Sequence, residues 1–297
     1  NTAVGYYALG RNATGIKNTV MGHYAGTGGS FDNIVAIGSD ALRANTASNN
    51  TAVGFYALRN NTTGTQNTAV GFCALSSNTV GEQNTAIGYK ALSTNTTATN
   101  NTALGRRALD LTTTGCGNTA LGEASMRNNT IGCRSVAVGQ AALYKNTTGN
   151  FNTAVGHYAL LCNTTGVNNT ALGINSLRGN YTGGNNVALG KYSLCSATGN
   201  NYNTAVGSNT LRVSTTNYNT AIGGAALASN VGGACNVAIG TSAMQVGNAG
   251  SANVAVGFQS LIYSTANNNT AVGFESLRQN TASNNTAVGF CALRSNT

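Results

Sequence analysis

Residues 67–71 of the chain read Asn-Thr-Ala-Val-Gly, and residues 84–88 read Asn-Thr-Ala-Ile-Gly. This motif returns with small variations from residues 1–5 to residues 285–289, in eighteen copies spaced by 16 or 17 residues. Self-similarity at a fixed short period is typical of a solenoid, in which each repeat forms one coil and stacks on the next. We therefore predict a single β-solenoid array over residues 1–297, with about 18 coils of 16–17 residues. Because it starts and stops within a repeat, we expect it to be a segment of a longer protein.

The columns of the repeat indicate short strands. The residue before the motif's glycine is aliphatic in every copy, and the residue two earlier is Thr or Val. A second apolar column follows four residues after the glycine; it is Leu except at Gly26, Met126 and Met244. Apolar spacings of 2 and then 5 do not fit a helix. The sequence therefore predicts an all-β, parallel β-solenoid.

Alternation within the motif suggests which side chains face inward. Positions two apart share one face of a strand, so we expect the Thr/Val and aliphatic columns to point into the core. The intervening alanine, replaced only by Val20, is then expected to point outward as an apolar stripe through which copies associate as a parallel homotrimer. The residues of this predicted stripe include Ala3, Ala52, Ala103, Ala120, Ala137, Ala154, Ala271 and Ala287.

Stacking also accounts for the polar composition. The asparagine that opens the motif is present in 16 of the 18 copies, with Ile34 and Ser135 as exceptions. Identical amides stacked coil upon coil can form a hydrogen-bonded ladder. The chain has no proline, as expected where each coil's backbone N–H groups bond to a neighbouring coil.

Residues 135–139, Ser-Val-Ala-Val-Gly, and residues 236–240, Asn-Val-Ala-Ile-Gly, resemble the repeat of the YadA-like heads of trimeric autotransporter adhesins. The longer form over residues 67–81 resembles repeats of phage tail-fibre proteins. The resemblance covers the whole chain and implies a left-handed parallel β-roll in a homotrimer, at the surface of a virion or a cell. The coils here are longer than those of the adhesin heads, and Thr replaces Val in most of them.

The inventory of reactive side chains argues against catalysis. Charged residues make up 7% of the chain, with six acids and two histidines, and no cluster has the spacing of a catalytic, cofactor-binding or metal site. We expect no enzyme activity, no cofactor and no metal. The net charge of +9 is spread without Lys/Arg clusters, which argues against a nucleic-acid partner. The sequence contains no run of eighteen apolar residues, so we expect no insertion of this segment into a membrane.

Two further features have competing interpretations. Arginine follows the Leu column in seven coils, either as a basic ridge for host-surface glycans or as a device for solubility. The seven are Arg43, Arg59, Arg127, Arg178, Arg212, Arg278 and Arg294. Cys116 and Cys133 lie 17 residues apart in the same register, so stacking would place them within reach of a disulfide.

Together these features predict an extracellular structural or adhesive protein that associates with itself. The leading hypothesis is the fibre shaft of a surface appendage, as in a phage-type tail fibre or a cell-surface adhesin stalk. The alternative is an ice- or glycan-binding solenoid that presents rows of Thr/Asn or Tyr/Arg. Against ice binding, the best threonine column alternates with valine and is expected to face inward.

Overall fold

The computed structural model describes residues 1–246 and 250–296. The chain divides into two compact units, Asn1–Asn150 and Phe151–Thr297. Each unit is a parallel β-solenoid, and no helix occurs in the described residues. The predicted all-β parallel solenoid is thus confirmed, whereas a single array over residues 1–297 stays a prediction.

In the first unit, nine three-residue strands pair in parallel and in chain order. The register places each motif directly over the next, so that Ala52 pairs with Ala69. The strands are β1 (Thr2–Val4), β2 (Thr19–Met21), β3 (Val35–Ile37), β4 (Thr51–Val53), β5 (Thr68–Val70), β6 (Thr85–Ile87), β7 (Thr102–Leu104), β8 (Thr119–Leu121) and β9 (Val136–Val138).

The second unit repeats this arrangement with parallel pairs in the same register. Its three-residue strands are β10 (Thr153–Val155), β11 (Thr170–Leu172), β12 (Val187–Leu189), β13 (Thr204–Val206), β15 (Thr220–Ile222), β17 (Val237–Ile239), β18 (Val254–Val256), β19 (Thr270–Val272) and β20 (Thr286–Val288). Two shorter strands, β14 (Val213–Ser214) and β16 (Ser229–Asn230), pair with each other.

The two faces of the strands are the reverse of the prediction. The motif alanines are buried: Ala103 and Ala120 are 0% exposed, and of the eight alanines predicted to point outward only Ala3, in the first strand, is exposed. The adjacent aliphatic side chains face solvent, with Leu104 and Leu121 41–42% exposed. Ala52, Ala103, Ala120, Ala137, Ala154, Ala271 and Ala287 therefore form part of the core and not an outward stripe.

One irregular coil explains why the inner face carries alanine. A Cβ added at Gly26, in the Leu column, would lie 3.4 Å from Val20 Cγ2 and 3.5 Å from Ile34 Cδ1. The Leu column therefore points at the alanine column across a thin coil interior, and a leucine on one side leaves room for only a methyl group on the other. Where leucine is replaced by Gly26, the missing volume is filled by Val20 and Ile34, both 1% exposed.

The glycine that ends the motif is required by the closeness of the coils. Gly71 has φ +133°, and a Cβ there would lie 2.6 Å from the carbonyl oxygen of Gly88. The turn that follows puts two more residues of each coil in the left-handed region, such as Cys73 and Leu75, both at φ 53°. These turns aim Leu75 into the core, where it is 0% exposed.

Two asparagine ladders support the stack. In the predicted ladder, the Asn84 backbone N–H donates to Asn67 Oδ1 at 3.0 Å, and Asn84 Nδ2 donates to the same oxygen at 3.2 Å. A second ladder, which we did not predict, runs through the corner seven residues after the glycine. There Asn78 Nδ2 donates to Asn61 Oδ1 at 2.7 Å, and Asn95 Nδ2 donates to Asn78 Oδ1 at 2.7 Å. Paired buried amides fix the register of the coils.

Candidate functional site

The solvent-facing side of the strands, hereafter the outer face, carries the Thr/Val and aliphatic columns. In the first unit, Ile87, Leu104 and Leu121 lie in consecutive coils and are 36–42% exposed. In-register pairing of β6, β7 and β8 places these side chains in one row. Contiguous exposed apolar side chains are a mark of an interaction surface.

Aromatic residues form a second exposed column, just after the motif glycine. The rings of Phe55, Phe72 and Tyr89 stack in sequence, with centroids 5.3 and 5.4 Å apart. In the second unit, Phe258, Phe274 and Phe290 stack likewise at 5.4 and 5.0 Å. All six rings remain exposed, so the aromatic column adds apolar area that each unit leaves open to solvent.

The arginines of the predicted basic ridge are mostly held by other side chains. Arg59 lies over the Tyr56 ring at 4.5 Å, and Arg178 lies over Tyr158 at 5.9 Å. Glu275 pairs with Arg278 at 3.5 Å and with Arg294 at 2.6 Å. These contacts favour the interpretation of solubility and local stability along most of the ridge.

Arg127 and Arg43 also pair with acids. Arg127 donates to Tyr144 Oη at 2.9 Å and lies 3.5 Å from Asp110, which is 5% exposed. Arg43 pairs with Asp40 at 3.0 Å. Arg212 is exposed in a different part of the ridge. Six of the seven arginines of the predicted ridge thus contact an acidic or aromatic side chain.

Three arginines come together at one place in the first unit, around a notch of about 430 Å³. Arg11, Arg43 and Arg59 line it together with the rings of Tyr7 and Tyr24. The notch lies beside the coil that has Gly26 in the Leu column, and its wall there is Thr27 and Gly28. Arg11 is not a ridge residue, and this site was not predicted from the sequence.

The two cysteines predicted to be neighbours are neighbours. Cys116 Sγ and Cys133 Sγ lie 3.2 Å apart as free thiols, and the Cys116 N–H donates to Cys133 Sγ at 3.0 Å. The hydrogen bond with Cys133, together with burial, raises the pKa of the Cys116 thiol above its ordinary value. The stacked register is confirmed here, and the disulfide itself stays a prediction.

No protein-family model matches the chain, and no curated protein sequence is similar to it. The structure adds two negative findings for residues 1–246 and 250–296. These residues contain no helix that is long and apolar enough to span a bilayer. They also contain no group of three or more His, Cys, Asp or Glu side chains placed to hold a metal ion.

A signal for the notch was present in the sequence. Residues 26–29 read Gly-Thr-Gly-Gly, in the one coil whose Leu column holds glycine. Small residues at a corner leave space between the longer side chains of neighbouring coils. The departure from the repeat, rather than the repeat itself, therefore marks the site.

Proposed function

We propose that this chain is the shaft of an extracellular fibre, as in a phage-type tail fibre or a cell-surface adhesin stalk, and that it acts without catalysis. The observation that carries the proposal is the outer face, where exposed aliphatic side chains recur in register, coil after coil. A monomer seldom leaves such a continuous apolar surface open. The resemblance of residues 135–139 to adhesin-head repeats supports the same assembly.

Self-association of three parallel copies would cover this surface. Each copy offers the same row of side chains along its strands, and a threefold arrangement lets three identical rows meet around one axis. The Thr/Val column beside the aliphatic column has β-branched side chains with few rotamers to lose on packing. Association through the outer face replaces the earlier hypothesis that the motif alanines meet.

Mass measurement in solution tests this assembly. We expect a trimer for the unmodified chain and monomers for the double variant Leu104→Glu/Leu121→Glu, because charges at these exposed sites oppose apolar contact. Lys145→Glu changes charge at an exposed corner outside the outer face and is the matched control, expected to stay trimeric. A stable monomer for the unmodified chain would refute the shaft proposal.

A second candidate function is supported by the corrected orientation of the strands. In the first unit the threonine column faces solvent, with Thr102 and Thr119 exposed in adjacent coils, whereas it was expected to face inward. A regular row of exposed threonines is the feature required for binding to ice or another crystal surface. The two candidates exclude each other on this face, because a trimer covers the row. Ice shaping and thermal hysteresis by a monomeric protein would favour crystal binding over the shaft.

A further inference from the structure

We propose that the notch binds an acidic sugar residue, with its carboxylate held by Arg11, Arg43 and Arg59. This proposal goes beyond the shaft function and does not depend on it, because the notch is formed by the side chains of one chain. Its volume of about 430 Å³ is in the range of small-ligand sites, roughly 300–1,000 Å³.

The charge of the notch favours an anion. Among the described residues that line it, three are arginines and none is acidic. Asp40, which is 7% exposed, pairs with Arg43 at 3.0 Å and offsets one of the three charges. Arg43 and Arg59 occupy the same column in adjacent coils, roughly 4.8 Å apart along the stack. The positive charges of Arg11, Arg43 and Arg59 repel one another around the notch, and an anion bound among them would relieve this repulsion.

Arg59 offers the notch a guanidinium group with an unused hydrogen-bond donor. Its guanidinium group stacks on the Tyr56 ring at 4.5 Å, which fixes the plane of the group. Its Nε atom is buried and has no hydrogen-bond partner within the described part of the chain. A buried N–H without an acceptor is costly. A carboxylate can accept bonds from a guanidinium in the bidentate geometry that arginine favours.

The two tyrosines of the notch favour a ligand that has a ring with an apolar face over a small anion such as phosphate. Tyr7 and Tyr24 lie in successive coils with centroids 5.6 Å apart, and Arg43 lies 5.3 Å from the Tyr24 ring. A sugar packs its C–H face on such rings, while its hydroxyl groups bond to polar neighbours such as Asn60. Phosphate or acetate would use the arginines and leave the rings without contact.

The irregular coil creates the space. The position six residues after the motif glycine carries a long side chain in a few coils, as at Lys145 and Tyr263, but it is Gly28 in the irregular coil and Ala44 in the next. A Cβ at Gly28 would lie 2.1 Å from the Asn45 carbonyl oxygen, so glycine is required there. Ala44 is exposed, and it can be enlarged to close the notch.

Titration of the intact chain with glucuronic acid and N-acetylneuraminic acid, followed by NMR, tests the proposal. We expect saturable binding of at least one of these acids, and no saturable binding of neutral galactose. Arg11→Ala and Arg43→Ala should each weaken binding about tenfold or more. Lys145→Ala, which removes an exposed cation from the same column as Arg11, should leave binding unchanged.

Two further experiments test whether the ligand occupies the notch and whether the notch requires a sugar ring. Ala44→Tyr fills the notch without changing charge, and Tyr263 shows that the column accommodates tyrosine, so this variant should fold and lose binding. Inorganic phosphate and N-acetylglutamate are the non-sugar anions. The proposal is overturned if neither acidic sugar binds, if either non-sugar anion binds as tightly, or if Ala44→Tyr retains binding. The monomeric variant Leu104→Glu/Leu121→Glu should still bind, which separates this test from that of the shaft.

Discussion

The irregular coil beside the notch and the regular coils share one fold but fill their cores differently. A regular coil sets Leu75 against Ala69, whereas the irregular coil sets Gly26 against Val20 and adds Ile34 from the next motif. In both arrangements the side chains that face one another are buried. The comparison teaches that the coil interior is constrained by the summed volume across it, as in other closely packed cores.

The largest expected effect comes from charging the inner face. Ala103→Glu places a carboxylate in a core where the alanine is 0% exposed, without a cation to pair with it, and should cost more than about 4 kcal/mol of unfolding free energy. Leu104→Glu, one residue on, faces solvent in the single chain and, when both variants are compared as monomers, should cost less than about 1 kcal/mol. Urea unfolding followed by circular dichroism measures both. Similar losses for the two variants would contradict the assigned faces.

The second effect comes from substitutions that convert the Leu/Ala packing of a regular coil into the Gly/Val packing of the irregular coil, and the reverse. Leu75→Gly should cost about 3–5 kcal/mol because it leaves a cavity, although the left-handed turn at this position suits glycine. Adding Ala69→Val should recover about 1–2 kcal/mol, measured as the coupling in a double-mutant cycle. In the irregular coil, Gly26→Leu should destabilise by overpacking against Val20, and Val20→Ala should relieve it. Simple additivity in both cycles would show that these columns do not face each other.

Much of the fold could be predicted from the sequence, but which face of the strands points into the core could not. The 16–17-residue period and the first asparagine column led to the parallel stack, its register and its amide ladder. Alternation separates two faces without saying which is inside, and hydrophobicity favoured Thr/Val and aliphatic residues over alanine. The deciding signal was that Val20, Gly26 and Ile34, each an exception in its own column, lie within 15 residues of one another. The notch was not predicted because it arises where small residues, Gly28 and Ala44, leave space between the longer side chains of neighbouring coils.

The third effect is that of a disulfide bond between two adjacent regular coils. The irregular coil has no cysteine and cannot form such a bond. Oxidation of Cys116 and Cys133 closes a loop of 17 residues and should stabilise by roughly 3 kcal/mol. Because the pKa of Cys116 is raised, less of its thiol is ionised at neutral pH, and oxidation should accelerate as the pH rises toward and beyond the raised value. Thermal unfolding with and without reductant measures the gain. Cys116→Ser should abolish it, and Cys73→Ser should not.

A fourth, smaller effect concerns the second asparagine ladder. In the first unit it is interrupted by Gly29 in the irregular coil and again by Thr112, which is 0% exposed. Within the described residues, Asn95 Oδ1 and Thr112 Oγ1 are buried without hydrogen-bond partners. Thr112→Asn restores an amide that can donate to Asn95 Oδ1, and should stabilise by about 1 kcal/mol. Thr112→Val, which removes the hydroxyl without supplying an amide, is the control. Equal melting temperatures for the two variants would show that the ladder adds nothing here.

The smallest effect compares two ion pairs between adjacent coils. Arg106 Nη1 lies 2.8 Å from Glu123 Oε1, with side chains 60% and 45% exposed. Asp110, by contrast, is 5% exposed, accepts a hydrogen bond from Ser93 Oγ at 2.6 Å and lies 3.5 Å from Arg127.

Solvent screens the first pair, so Glu123→Gln should cost less than about 1 kcal/mol, and added salt should erase most of the difference. Asp110→Asn removes a buried negative charge from beside Arg107 and Arg127, and should cost more and depend less on salt. Urea unfolding at low and high salt measures both variants. If Glu123→Gln proved as costly as Asp110→Asn at high salt, burial would not determine the strength of these pairs, and exposed charge ladders would contribute substantially to the stability of the regular coils.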